Sequence, residues 1–191
     1  MLKPNIKLDP KSLYRYSDEK LCFFIDVQLD GYREIYNEWD FSPLYNRDID
    51  EDLAKYLNNC YMEIPFKAKT IISISVPKEV EDKNREEKSI ESFKNYFMYL
   101  IRLKNKDKQT LKRRMIYYLI LGVGLLSLAN FVETVQIMGN YLKILSQGLF
   151  VGGWVLFWEL FSNIFFELND IKKDLKIYYK MYNSDIEYSY R

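Results

Sequence analysis

The chain has 191 residues, and its 28 basic and 27 acidic side chains leave a net charge of +1 at neutral pH. This balance gives the protein no strong positive electrostatic field that would attract nucleic acid, so we do not expect nucleic acid as a partner. Histidine is absent, so histidine-based triads, general bases and metal ligands are excluded. The two cysteines, Cys22 and Cys60, are far apart in sequence, and we expect both to be reduced and buried.

The first 88 residues are predicted to form a cytosolic domain of the α+β or α/β class. Residues 1–20 contain two prolines and many charges, which predicts an irregular arm and no signal peptide. Residues 21–29 alternate in hydrophobicity, which predicts a half-buried strand ending at the turn Asp30-Gly31. One side of this strand would carry Leu21, Phe23, Ile25, Val27 and Leu29, and the other Cys22, Phe24, Asp26 and Gln28.

A helix and a second strand complete this domain. Residues 32–47 are predicted to be a loop with one helical turn. Asp48 and Glu51 resemble a capping box that begins a helix, and Ile64-Pro65 ends it. Its apolar face would comprise Ile49, Leu53, Tyr56, Leu57 and Cys60. Residues 70–76 alternate again and predict a strand, so the order strand, helix, strand predicts a parallel pair joined by a crossover.

A long helix is predicted from Ser89 onward, because no proline follows residue 77 and no glycine occurs between Gly31 and Gly122. We expect about 40 residues of helix, or roughly 60 Å at 1.5 Å per residue. Residues 89–114 form the first part of this helix, which is amphipathic at its start and basic towards residue 114. We expect four of its basic side chains to contact lipid headgroups: Lys108, Lys112, Arg113 and Arg114. Nearby aromatic residues leave single-stranded nucleic acid as a less favoured alternative.

Two apolar runs follow. Residues 115–132 carry no charge, and residues 144–166 carry one, at Glu159. As helices they would be roughly 27 Å and 34 Å long, against about 30 Å for a bilayer core. We therefore predict a transmembrane hairpin with residues 133–143 as its extracytoplasmic loop. Basic residues flank both outer ends, so both termini of this multi-pass protein of the inner or cell membrane should be cytosolic.

Residues 167–191 are predicted to return to the cytosolic domain. The second run should continue as an amphipathic helix, and residues 185–190 then alternate between polar and apolar side chains. This alternation predicts an edge strand that joins the sheet of the domain.

The second run reads Gly148-Leu-Phe-Val-Gly-Gly-Trp-Val-Leu-Phe-Trp158, and it follows Phe41-Ser-Pro-Leu-Tyr-Asn-Arg-Asp-Ile49 and Ile72-Ser-Ile-Ser-Val-Pro77. Over residues 40–182 the chain resembles a widespread family of small bacterial membrane proteins with a cytosolic α/β domain and two spans. The sequence departs from that pattern at Gln147, at Glu159-Leu160, where Arg-Pro is usual, and at Ser162. The resemblance implies an architecture and no activity.

Glu159 is the most specific candidate residue. An ionisable group inside a span should face protein or water rather than lipid, because exposing it to lipid costs ~2.5–3.5 kcal/mol on insertion scales. Asn163 lies on the same helix face, and Ser127 and Asn130 share a face of the first run. These residues could make contacts between helices or between copies, or they could line a path for ions or protons. We favour the contacts, and we expect a homo-oligomer.

Three glycines and two tryptophans of the second run are candidates for close packing against a neighbouring helix. The candidates are Gly148, Gly152, Gly153, Trp154 and Trp158.

Catalytic chemistry has little support in the sequence. Asp48, Asp50 and Asp52 do not fit a calcium loop, because Leu53 and Asn59 occupy the positions that need Gly and Glu. Asp26 and Asp30 are only weak candidates for an active site. We predict no catalytic residues, metal or cofactor. We favour a non-enzymatic protein whose cytosolic domain binds a protein or a small ligand such as a nucleotide, and whose hairpin anchors and oligomerises it. The alternatives are a gated ion-conducting or membrane-perturbing effector in stress or phage defence and, less favoured, an enzyme at the membrane surface.

Overall fold

The computed structural model describes residues 9–43, 47–134 and 139–191. The chain divides into two compact units. The first contains the residues up to Arg102 together with Lys176–Arg191, and the second contains Leu103–Leu175. The predicted domain boundaries at residues 88 and 167 therefore differ from the boundaries of these units, because the long helix contributes to both.

The first unit combines helices with a small mixed sheet. The helices are α1 (Pro10–Leu13), α2 (Glu51–Glu63), the start of α3 (Lys83–Thr134) and the second half of α5 (Leu168–Asn183), and the strands are β1 (Arg15–Ser17), β2 (Cys22–Gln28), β3 (Lys69–Val76) and β4 (Asp185–Tyr190). Short 3-10 turns cover Tyr32–Ile35 and Lys78–Val80.

The four strands have the order β1-β2-β3-β4. β2 and β3 are parallel, with Ile25 opposite Ile72, which confirms the predicted parallel pair. β4 lies parallel to β3 at the edge, with Ile186 opposite Ile72, so the predicted edge strand is also confirmed. The expectation of an irregular arm was wrong for Arg15–Ser17, which pair antiparallel with β2. The first eight residues of that arm lie outside the described residues.

The main core lies on the sheet face that α2, α3 and α5 cover. It includes Ile25 and Ile72 from the sheet, Leu57 from α2, Phe93 from α3 and Met181 from α5. Each of these side chains is at most 1% exposed. Full burial of such a side chain contributes about 1.5–3 kcal/mol. Segments far apart in sequence are thereby held in one unit.

The second face of β2 is also partly buried, which corrects the predicted alternation. Cys22, Phe24 and Ile71 form a small apolar cluster there. The guanidinium carbon of Arg15 lies 3.9 Å from the centre of the Phe24 ring. Leu21 does not point into the core as expected, because it precedes the strand with φ of 48° and is 66% exposed. Both cysteines are free and buried, as predicted.

Two helix starts differ from the predicted ones. The N-cap of α2 is Asp50 rather than Asp48, and its carboxylate accepts the N–H groups of Asp52 and Leu53. α3 begins at Lys83, because the Asp82 carboxylate accepts the N–H of Arg85 at 3.1 Å. Ser89, the predicted N-cap, is instead a fully buried residue within the helix.

The second unit is built from the remainder of α3, from α4 (Gly139–Ser162) and from the start of α5. α3 is 52 residues long, so it continues past the predicted length of about 40. A π-helical turn, Asn163–Glu167, connects α4 to α5. Of the predicted loop 133–143, residues 135–138 lie outside the described residues and the rest is helical. Among the described residues, two helices are long and apolar enough to cross a membrane, Lys83–Thr134 and Tyr141–Asn183.

Candidate functional site: the helical hairpin

α3 and α4 approach each other most closely at a pair of glycines. A Cβ atom built on Gly153 would lie 2.7 Å from Cγ and Cδ2 of Leu126 and 3.2 Å from the carbonyl oxygen of Gly122. A Cβ on Gly122 would lie 3.3 Å from the Phe157 ring. Only a residue without a side chain fits at this crossing, so Gly153 packs between the two helices. From the sequence, Gly122 could mark either a loosened helix or a tight contact, and the structure shows the tight contact.

The other two glycine candidates lie in more open positions. A Cβ on Gly152 would be 3.5 Å from Leu125, an ordinary contact. A Cβ on Gly148 would meet nothing within 4 Å. Gly148 therefore takes no part in packing within the hairpin, although its spacing of four residues from Gly152 is typical of close helix packing.

A buried hydrogen bond joins the two helices one to two turns away from the glycines. The Ser146 hydroxyl donates to the carbonyl oxygen of Ala129 at 3.1 Å. Both residues are buried, Ser146 at 7% exposure and Ala129 at 2%. With the Gly122–Gly153 contact, this bond sets the antiparallel register of the hairpin.

Asn163 lies on the inner side of the hairpin, where α4 gives way to the π-helical turn. It is 4% exposed, and within the described residues its Nδ2 atom has no hydrogen-bond acceptor. Its carbonyl oxygen accepts the N–H of Leu168, five residues on, which is the π-type bond. Such turns are rare and occur frequently at functional sites. Asn163 is thus a buried amide with unused hydrogen-bonding capacity.

Glu159 lies on the exposed surface of α4. Within the described residues its carboxylate has no hydrogen bond and no ion pair. Ser127 and Asn130 are also exposed, on the outer surface of α3. The hairpin therefore brings none of these three polar side chains together with Asn163, which is buried. A contact for Glu159 has to come from outside the hairpin.

The two tryptophans are exposed, Trp154 at 54% and Trp158 at 76%. Trp154 belongs to a row of aromatic rings along one side of α4, with neighbouring ring centres 6.2–6.5 Å apart. The row consists of Phe150, Trp154, Phe157, Phe161 and Phe165. Apart from Phe157, which contacts Gly122, these rings present a broad apolar surface outward.

The basic stretch in the middle of α3 faces acidic residues of the π-helical turn and of α5. Lys104 Nζ lies 2.9 Å from an Asp174 carboxylate oxygen. Arg114 Nη1 lies 3.9 Å from a Glu167 carboxylate oxygen. Between the pairs is an open groove of about 380 Å³, which Leu111 and Ile171 also line. Pairs this exposed contribute only about 0–1 kcal/mol each.

The other predicted headgroup residues differ in exposure. Lys112 and Arg113 are exposed, and Lys108 is half-buried. None of the three forms an ion pair within the described residues.

The carboxylates considered in the first unit have structural contacts. Asp26 accepts two hydrogen bonds from Arg15, which also bonds to Ser73. Asp30 accepts a bond from Arg191 at 2.6 Å. Asp50 caps α2. In the part of the chain that the structure describes, no group of three or more Cys, Asp or Glu side chains is arranged to hold a metal ion.

Several residues of the hairpin could not have been selected from the sequence. The Gly122 contact, the Ser146 hydrogen bond and the π-helical turn depend on which faces of two helices meet. The Arg114–Glu167 ion pair could have been predicted, because these oppositely charged residues lie at the outer ends of the two apolar runs.

Comparison with known proteins adds no relative: no protein-family model, no curated protein and no solved structure matches this chain. The resemblance to small bacterial two-span proteins therefore stays a prediction.

Proposed function

We propose that this is a non-enzymatic membrane protein of two spans. Its hairpin anchors a cytosolic α/β domain and brings copies of the chain together, and the domain binds a protein or a small ligand.

The exposure of the two apolar helices carries this proposal. The most apolar 18-residue windows have mean hydropathies of 2.0 and 1.5. Only 11% and 17% of these windows are buried within the chain. A core helix of a soluble protein would be mostly buried, whereas these helices direct most of their apolar side chains outward. Monomeric soluble proteins rarely expose patches of this kind, and a bilayer covers them.

The flanking charges support the proposed orientation. Lys112, Arg113 and Arg114 directly precede the first apolar run, and Lys172 and Lys173 follow the second. Lys143 is the single basic residue between the runs. By the positive-inside rule, both outer ends then face the cytosol. Arg114 and Glu167 would mark the membrane surface on that side.

Membrane integration and orientation can be tested on the full chain. We expect the protein to remain in the membrane fraction after alkaline carbonate extraction. Single cysteines at Lys106 and Tyr141, in a background without Cys22 and Cys60, should react with a membrane-impermeant thiol reagent on opposite sides. Release by carbonate would refute the anchoring role, and labelling of both positions from one side would refute two spans.

The exposure of Glu159 favours one competing function, a gated conduit. If several copies surround an axis, an unpaired carboxylate on the outer surface of α4 could line a path for cations. Reconstituted protein and its Glu159→Gln variant should then differ in ion flux across liposomes. We expect no flux from either protein, and flux that only the parent shows would favour the conduit.

A further inference from the structure

We propose that one exposed face of α4 packs against the same face of a second copy, so that the two Glu159 carboxyls bind each other. This face, the Glu159 face, consists of Gly148, Gly152, Val155, Glu159 and Ser162. The inference rests on the proposed membrane insertion and identifies the partner and the contact surface.

The spacing of the Glu159 face fits a contact between two helices. Its members follow each other at intervals of four, three, four and three residues, the repeat that keeps one seam of a helix against a neighbour. Val155 is 60% exposed, and Gly148 has open space around it. The internal contacts of the hairpin use a different side of α4, where Gly153, Leu160 and Asn163 are buried. The Glu159 face is therefore available in the folded chain.

Lipid is not a suitable neighbour for this face. Glu159 has no partner among the described residues, and hydrocarbon chains offer neither a donor nor an acceptor. Acidic residues within spans almost always face other protein or water. Val155 and Trp158, one helical turn and one residue before Glu159, are exposed apolar side chains.

A second copy satisfies Glu159 without further assumptions. Every copy enters the membrane in the same orientation, so the same residue lies at the same depth in each. A protonated carboxyl has one donor and one acceptor, and two of them can bond reciprocally. Gly148 and Gly152 permit the close approach that this pairing needs.

The polar residues of α3 are less suitable partners for Glu159. Ser127 is thirteen residues beyond Arg114, about 19 Å along a helix axis, whereas Glu159 is eight residues, about 12 Å, from Glu167. In copies of equal orientation, Ser127 and Asn130 thus lie deeper than Glu159. The Glu159 carboxyl of another copy lies at the same depth in the membrane.

Cysteine cross-linking in native membranes tests the face directly. In a background without Cys22 and Cys60, we expect Val155→Cys and Ser162→Cys to form disulfide-linked dimers with copper phenanthroline. Phe150→Cys and Phe161→Cys, on the aromatic side of α4, are matched controls that should remain monomeric. Equal cross-linking on both sides, no dimers at all, or cross-links to a different protein would overturn the proposal.

The carboxyl pair is tested by the dimer dissociation constant in detergent micelles. Glu159→Leu removes the hydrogen bonds and should weaken association roughly three- to thirtyfold. Glu159→Gln can pair reciprocally through its amide and should stay close to the parent. An unchanged constant for Glu159→Leu would overturn the proposal. Carbonate extraction of the same variants separates this result from a failure of membrane insertion.

Discussion

Gly122 and Gly153 lie against each other where α3 and α4 cross, and no Cβ atom fits at Gly153 without displacing Leu126. The distance of 2.7 Å to Leu126 is far below an ordinary van der Waals contact. The two backbones come this close because neither residue carries a side chain.

Replacing Gly153 by leucine should loosen the hairpin. The larger side chain overpacks the crossing, which typically costs about 1–3 kcal/mol. We expect a decrease of that size in the free energy of unfolding in detergent micelles, followed by circular dichroism. Gly124→Leu is the matched control, since a Cβ at Gly124 meets nothing within 4 Å. Equal losses for both variants would show that the crossing is not responsible, because leucine is the better helix former and its propensity alone would give a gain.

The fold of the first unit was largely predictable because its strands carry a local signal. Alternation over residues 70–76 and 185–190 gave β3 and the edge strand β4. β1 was missed because a three-residue strand has too few positions for a period to be recognised. The start of α2 was displaced by two residues because Asp48 and Asp50 are equally good caps by residue type.

The hairpin shows where sequence reasoning stops. Hydrophobicity and length identified both apolar helices, since these depend on each segment alone. The rotation of α4 relative to α3 determines which of its glycines lies between the helices. Gly153 faces α3, whereas Gly148 faces away from it. Asn163 was assigned to the same face as Glu159, yet one is buried and the other exposed, because α4 ends there in a π-helical turn that changes the spacing.

Replacing Asn163 by leucine should stabilise the hairpin. Its buried Nδ2 group lacks an acceptor within the described residues, and an unsatisfied buried group costs about 1–3 kcal/mol. Leucine has the same number of side-chain heavy atoms, the same branched shape and no polar atoms. We expect a higher unfolding midpoint in the same micelle assay, with Leu160→Ala as a destabilising control for the assay. A lower midpoint for Asn163→Leu would mean that water or another chain satisfies the amide.

Lys180 should make stability increase between pH 8 and pH 10. Burial lowers the pKa of Lys180 from 10.5 to about 8, although its Nζ donates to the carbonyl oxygen of Pro65 at 3.0 Å. In this range the folded chain has lost the proton that the unfolded chain keeps, so folding becomes more favourable as the pH rises. The gain should disappear in Lys180→Met, while the exposed Lys172→Met retains it.

Above pH 10 the tyrosines should reverse this trend. Burial raises the pKa of Tyr61 and of Tyr188, so the unfolded chain loses these protons first and stability falls as the pH rises. Denaturant unfolding of the full chain from pH 7 to pH 11 should therefore show a maximum near pH 10. If the free energy of unfolding instead decreased steadily from pH 8, the predicted increase due to Lys180 would be contradicted.

Glu86 should be a main contributor to the stability of the first unit. It is 9% exposed, and its Oε1 atom accepts hydrogen bonds from the hydroxyls of Tyr32 and Tyr190, each at 2.9 Å. Tyr32 in turn accepts the N–H of Asp82 at the start of α3. One carboxylate thus joins the 3-10 turn, α3 and the edge strand β4.

Glu86→Leu should lower the free energy of unfolding by roughly 3 kcal/mol, because two hydroxyls lose a charged acceptor. Glu87→Leu, at the exposed neighbouring position, should change it by less than about 0.5 kcal/mol. In a double-mutant cycle, Tyr190→Phe should cost much less in the Glu86→Leu background than in the parent, because the bond it removes is already absent. Full additivity would show that the Tyr190 hydroxyl stabilises the unit through contacts other than its bond to Glu86.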